Sequence, residues 1–326
     1  MQRSFGLRFA LLLIVAALVG CFLLISTSIF SQSIVSATYM GIPKTMFWAW
    51  ERPEDLRFLQ SDKQGVAFLA STIELWRMPV ADAKVEPSSS SDIDWLGLRA
   101  AAKLGVRLVP RLQPLQVAKD AQLMAVVRIE TTNDLWHRPA GRVDVNPSNP
   151  PATSFLYSEA QEEAVVNMVV AAARLPQVNA LQIDFDAAQS ERPFYTALLH
   201  EVRNRLPQSI RLSITALASW CIDDPWLDQL PPGTIDEAVP MLFRMGPDEA
   251  AVAAYLESGR DFRVHACRGS LGVSTDEGLS QAVLRGKIFP NRRSWATRRV
   301  YIFSPKPWIQ KEASSLTSEV SQWHKD

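Results

Sequence analysis

Net charge is missing from this chain: 34 Lys and Arg balance 34 Asp and Glu over 326 residues. No run of lysine or arginine breaks the balance. A protein that neutralises phosphates carries a basic excess or patch, so nucleic acid is excluded as a partner. Histidine is scarce, with four residues at 137, 200, 265 and 324 and no pair at a ligand spacing such as H-x-x-x-H, so no metal site is predicted. A hard cation between Glu130, Asp184 and Asp186 is the weaker alternative. No Gly-rich turn follows an early strand, which removes the phosphate loop of a dinucleotide-binding open sheet, and no cofactor is expected. Cysteine is limited to Cys21, Cys221 and Cys267. That is too few for a disulfide scaffold but enough for one Cys221–Cys267 bridge in an exported chain, although spacing alone does not say whether the two meet. A nucleophilic pairing of Cys221 with His265 has no local support.

Acidic residues are also absent before Glu51, and Arg3 and Arg8 precede the uncharged run FALLLIVAALVGCFLLISTSIF at 9–30. At 1.5 Å per residue such a run crosses a hydrocarbon core of about 30 Å. The arginines favour an N-in orientation with the remainder exported. Three readings fit residues 1–39. One is an uncleaved signal anchor, which makes the membrane a partner through an N-terminal helix. The second is a lipoprotein signal ending at Cys21, although Phe22–Ile25 prolong the apolar run beyond it. The third is ordinary cleavage near Ala37. Each places residues 40–326 on the extracytoplasmic side, in the periplasm or at the cell surface.

That remainder reads as short apolar, β-rich runs separated mostly by amphipathic stretches. Strand candidates fall at 45–50, 65–70, 123–130, 178–186, 210–217, 236–245, 261–267 and 298–305. Helix-like segments include EDLRFLQ after Pro53, and then 158–175, 193–206 with Pro193 in its first turn, 248–259 closed by Gly259, 277–286 and 309–324. EPSSSSD at 86–92 and NPSNPPATS at 146–154 read as loops. Eight strands alternating with helices predict an α/β fold, a TIM-like (β/α)8 barrel. A doubly wound sheet is the alternative. Residues 71–122 exceed a simple helical connection and predict an insertion after strand two, with 73–80 and 106–117 as an antiparallel hairpin around a helix-like 94–104.

The fourth strand carries the chemistry. In ALQIDFD, Asp184 and Asp186 sit two residues apart at the strand's end, so both share a face with Gln182, while Ile183 and Phe185 point the other way. In a parallel barrel that end is where active sites form. Arg128 and Glu130 repeat the spacing on strand three, and Arg128 is expected to hold Asp184 ionised. Trp50, Trp220, Arg244 and Trp308 fall at other strand ends, and the tryptophans offer faces for sugar rings. Two carboxyls with aromatic platforms suggest glycoside chemistry, with Asp186 as proton donor, Asp184 as its tuner and Glu130 as the alternative partner. The competing reading has Asp186 capping the next helix and Asp184 paired with an inward arginine.

The segments VVRIETT, LQIDFDAAQSERPFY, LSITALASWC and VPMLFRMG, in this order, resemble a bacterial family known as domain of unknown function 3142, over most of residues 40–305. The resemblance implies an exported or membrane-anchored protein and carries no established activity. A more distant likeness is to the chitinase-like glycosidases of family eighteen, whose strand four ends in D-x-x-D-x-D-x-E. That likeness puts Asp184 on the last Asp and Asp186 on the acid Glu. Gln182 departs from it where an Asp is expected, and Phe243 and Arg244 depart from an M-x-Y-D element on strand six.

The functional expectation is a membrane-anchored glycoside hydrolase-like protein acting on polysaccharide. The alternative is a non-catalytic barrel that binds a glycan or a partner within an envelope or exopolysaccharide system.

Overall fold

Two-sided burial is the feature that shapes the chain from residue 43 onward. In the computed structural model, residues 41–76, 104–132, 157–288 and 297–322 are described. The expected N-terminal helix, the 86–92 and 146–154 loops and nearly all of the helix-like 94–104 lie outside the described residues. Among the described residues no helix is long and apolar enough to cross a membrane.

Strand β1 (Thr45–Ala49) is buried at every position. A two-residue strand β2 (Glu54–Asp55) stands where a helix is expected after Pro53, because its backbone pairs in parallel with a later short strand. Strand β3 (Gln64–Trp76) is followed by β4 (Val106–Pro110), β5 (Leu115–Gln116, the partner of β2) and β6 (Gln122–Thr132). Helix α1 (Glu159–Ala172) opens on a capping box in which the Ser158 hydroxyl and the Gln161 side chain satisfy each other's backbone N–H groups. Then come β7 (Val178–Asp184), α2 (Arg192–Arg205, with Pro193 in its first turn), β8 (Arg211–Leu217), the short α3 (Ala218–Ile222) and β9 (Glu237–Met241). The chain continues through α4 (Glu249–Glu257), β10 (Ser270–Ser274), α5 (Gly278–Leu284), β11 (Arg299–Phe303) and α6 (Gln310–Gln322). Gly259 leaves α4 in a left-handed conformation, φ +79°, as its place after the helix requires.

Strands β1, β3, β6, β7, β8, β9, β10 and β11 pair in parallel in that order, and β11 returns to β1. This is a closed eight-stranded TIM-like barrel within the compact unit Pro43–Asp326. Outward side chains such as Phe47, Ile183 and Ile214 join the apolar layer under the helices. Inward side chains follow from the period of two. Met46 and Trp48 point inward from β1 and take up so much of the interior that their neighbours need glycine. A Cβ on Gly65 would lie 2.5 Å from Met46 Sδ, and one on Gly272 would lie 3.0 Å from Trp48 Cη2.

The seventh strand is displaced from its expected place. Residues 261–267 form a turn and a 3-10 segment, His265–Arg268, and the strand is Ser270–Ser274. Phe262, Val264 and Cys267 are buried, so the segment has a strand's composition without its pairing. The insertion after strand two begins differently as well. β3 continues to Trp76 alongside β6, with a register irregularity between Leu69 and Ser71, and β4 runs back along it from Leu75–Val106 to Ser71–Pro110. The expected antiparallel pairing is there between residues 71–75 and 106–110, but it prolongs the barrel strands, and residues 77–80 of the expected hairpin lie outside the described residues. The result is a three-stranded arm of β4, β3 and β6, in which burial of β3 changes from continuous to alternating.

Candidate active site

Strand β7 ends on Asp184, and the next turn begins with Asp186. Both line one cleft of about 390 Å³ at the C-terminal mouth of the barrel. Register places Arg128 of β6 beside Asp184. Thr215 of β8 donates its hydroxyl hydrogen to Asp184 Oδ1 at 2.7 Å, and Arg128 Nε lies 3.8 Å from Oδ2. The same guanidinium meets Glu130 at 3.0 Å and sits 5.8 Å above the Trp50 ring.

Arg128 does not hold Asp184 in the ordinary carboxylate range. Burial of the carboxyl, whose side chain keeps 14% exposure, outweighs the Thr215 hydrogen bond, and with the nearby Asp186 it pushes Asp184 up to about 6. Asp186 is also raised, by desolvation in the cleft and against the pull of Arg128. Its outer side is exposed. Among the described residues Asp186 makes no hydrogen bond or ion pair, so it caps no helix.

Gln182 lies one step deeper and is fully buried. Its Oε1 accepts from Trp48 Nε1 at 2.9 Å, and its Nε2 donates to Ser213 Oγ at 3.1 Å. Below it, Ser213 donates to Glu237 at 3.2 Å and Tyr301 donates to Glu237 at 2.5 Å, while Arg299 pairs with Glu237 and bonds the Pro43 carbonyl. Burial and Glu237 hold the Tyr301 hydroxyl protonated, far above its usual range. Each end of the Gln182 amide thus has one partner in the interior, and among the described residues no hydrogen bond joins it to Asp184.

The aromatic part of the site differs from expectation. Trp50 is half-buried and lines the mouth as anticipated. Trp220 is 2% exposed and packs at 5.2 Å against Trp226 in the outer wall. Trp308 is 4% exposed, lies 4.8 Å from the outward Phe47 and donates to the Trp48 carbonyl. Neither has a face free for a ligand. Both follow strand ends, yet the chain has already turned outward there, and the apolar layer claims them. The mouth is lined instead by Phe243 and Phe303, stacked at 5.7 Å, above Trp48. Inward alternation along β11, from Arg299 through Tyr301 to Phe303, is the sequence signal for the second of these.

Arg244 also reaches the mouth, in a left-handed backbone conformation with φ +57°. Its backbone N–H and its guanidinium both bond Glu277, and Asp276 takes the remaining arm at 2.9 Å. These contacts hold a conformation that non-glycine residues rarely adopt. The two thiols are joined as Cys221–Cys267, which removes Cys221 as a nucleophile.

Glu130 faces a second cleft, of about 460 Å³, along the arm. Arg128, Asp184 and Asp186 line both clefts. Sequence reasoning missed the arm residues Glu74, Trp76 and Arg107, although TIELW alternates in the way a one-sided strand does.

Residues 158–242 match the model of a family described as Domain of unknown function (DUF3142). The matched stretch runs from α1 through β9 and contains Asp184, Asp186 and Thr215. Arg128, Glu130 and Arg244 lie outside it. No curated protein matches the chain. Among solved structures, the chain is similar to a family GH18 chitinase from Chromobacterium violaceum, with 10% identity and a TM-score of 0.44 over 87% of this chain and 84% of that one. It is similar also to the Bacillus cereus spore cortex-lytic enzyme SleL, with 11% identity and a TM-score of 0.40 over 86% and 75%.

Proposed function

We propose that the protein is a glycoside hydrolase-like barrel that acts on polysaccharide outside the cytoplasm, held at the membrane by the apolar segment 9–30. The observation that carries the reading is the pair of unequal carboxyls at the barrel mouth. Asp184 is deep and retains its proton to about pH 6, and Asp186 stands free at the lip of a cleft lined by Trp50, Phe243 and Phe303. Asp186 protonates the leaving glycosidic oxygen. Asp184, fixed by Thr215, keeps a proton in the pair at mildly acid pH, and its carboxylate form stabilises the oxocarbenium-like state. Glu130 is the alternative partner from the arm side. The Cys221–Cys267 bridge supports export, since such bridges persist in oxidising compartments.

General acids contribute about 10²–10⁴-fold to such reactions. Asp186→Asn is therefore expected to reduce polysaccharide turnover by at least about a hundredfold with the fold and glycan retention intact. Retained turnover removes Asp186 from the role. The second reading, a glycan- or partner-binding barrel without catalysis, is favoured by Gln182, an amide at the position from which an inner carboxyl would share the proton of Asp184. On that reading no polysaccharide is cleaved, and binding survives Asp186→Asn but falls with Phe243→Ala.

A further inference from the structure

The two clefts meet at the acids. On the mouth side the walls are aromatic and apolar: Trp50, Phe243, Phe303 and Met241. On the arm side they are polar and charged: Glu74, Trp76, Arg107 and Glu130. Arg128, Asp184 and Asp186 belong to both, so a ligand occupying both clefts passes over the carboxyls. The arm exists because β3 and β6 outrun the barrel and β4 folds back on them, so its cleft is built on paired strands.

Charge in the arm cleft is unbalanced. Arg107 is engaged by Glu74 and lies 5.7 Å over the Trp76 ring. Arg128 is engaged by Glu130 and faces Asp184. Four carboxyls therefore face two guanidinium groups, each with a carboxylate partner of its own, and Asp186 has none among the described residues. Trp76 adds an indole N–H with no hydrogen-bond partner among the described residues.

Resting on the carbohydrate reading above, we infer that the arm cleft is a second subsite that takes the next units of a polysaccharide chain and favours units bearing a positive charge, such as a free amino sugar. The substrate is then an internal stretch of a cationic polymer lying across the acid pair, with its ring faces on the aromatic side and its ammonium groups on the arm side. A unit charge about 4 Å from a carboxylate in water gains roughly 1 kcal/mol, about fivefold in affinity per contact.

The test is calorimetric titration of the full chain at near-neutral pH and low salt, above the range in which Asp184 keeps its proton. The ligands are glucosamine dimer, glucosamine hexamer, N-acetylglucosamine hexamer and a neutral glucose hexamer. The glucosamine hexamer is expected to bind at least about fivefold tighter than its own dimer and than either uncharged hexamer. Trp76→Ala and Glu74→Gln are each expected to erase the length advantage, and Phe243→Ala is expected to weaken every ligand. Should the hexamer bind no better than the dimer, or should the arm variants leave it unaffected, the second subsite is overturned while the mouth remains a glycan site. Equal affinity for charged and uncharged hexamers overturns the charge preference. If none of the four ligands binds, the carbohydrate reading falls and the groove with it. Circular dichroism of each variant separates lost binding from lost folding.

Discussion

The lower and upper halves of the barrel interior handle polar side chains in opposite ways. In the lower half Arg299, Glu237, Tyr301, Ser213, Gln182 and Trp48 form one continuous chain of bonds. In the upper half Asp184 keeps a hydrogen bond from Thr215 and a long contact to Arg128, and Asp186 keeps no bond among the described residues. A buried polar group without partners costs free energy, so a fold that links them into one network in one layer and leaves them underused in the next is reserving the second layer for something other than stability. The apolar floor of Trp48 separates the two.

The largest expected effect tests the lower half. Glu237→Ala leaves the Arg299 guanidinium buried with its carboxylate removed, and a loss of about 3–5 kcal/mol in urea unfolding is expected. A loss below about 1 kcal/mol would mean that the layer is not closed to water. Next comes the wall. Trp220→Ala is expected to cost roughly 3 kcal/mol of stability while glycan retention by the folded fraction is unchanged, because the ring packs only inside the outer layer. Weakened binding at full folding would return Trp220 to the site.

The third effect is a pH dependence from the upper half. Asp184 binds its proton more tightly when folded, with a value of about 6 against an ordinary 3.8. Its contribution to stability is therefore complete below about pH 4, is lost as pH rises to about 6, and is flat above that, a change of about 3 kcal/mol. Asp184→Asn, which can still accept from Thr215, is expected to flatten that slope in denaturant midpoints taken from pH 4 to 7, and an unchanged slope would assign it to another group. Asp186→Asn is the smallest, within about 0.5 kcal/mol of wild-type stability, since an exposed carboxyl without a hydrogen bond among the described residues adds little to the fold. A larger cost would show that Asp186 belongs with the closed layer.

Much of the architecture was legible in the sequence where burial and period agree. QIDFD reads as a strand end with its acids on one face because inward and outward positions alternate, and β7 is built that way. The seventh strand was not legible. SLGVS carries a glycine where Trp48 occupies the space and serines at the inward positions, so its apolar run is too short to read as a strand. DFRVHAC has the larger apolar side chains because Phe262, Val264 and the disulfide-linked Cys267 are buried outside the sheet. The two misplaced tryptophans fail for a related reason. Proximity to a strand's end in sequence does not say whether the chain has already turned outward, and at Trp220 and Trp308 it has. Arm and mouth residues such as Trp76 and Phe303 fell inside the expected strands and needed only strict alternation to be assigned to a face.

The Cys221–Cys267 bridge joins residues 46 apart in sequence, and the loop it closes contains all of β9 and α4. The stretch that delivers Met241, Phe243 and Arg244 to the mouth is thus a covalent ring within the chain. A protease that nicks its exposed outer part, around residues 246–260, produces two fragments that stay joined until a reductant is added. Damage there travels with the molecule, and a barrel cut once at this place keeps its pieces together long enough to go on holding its shape.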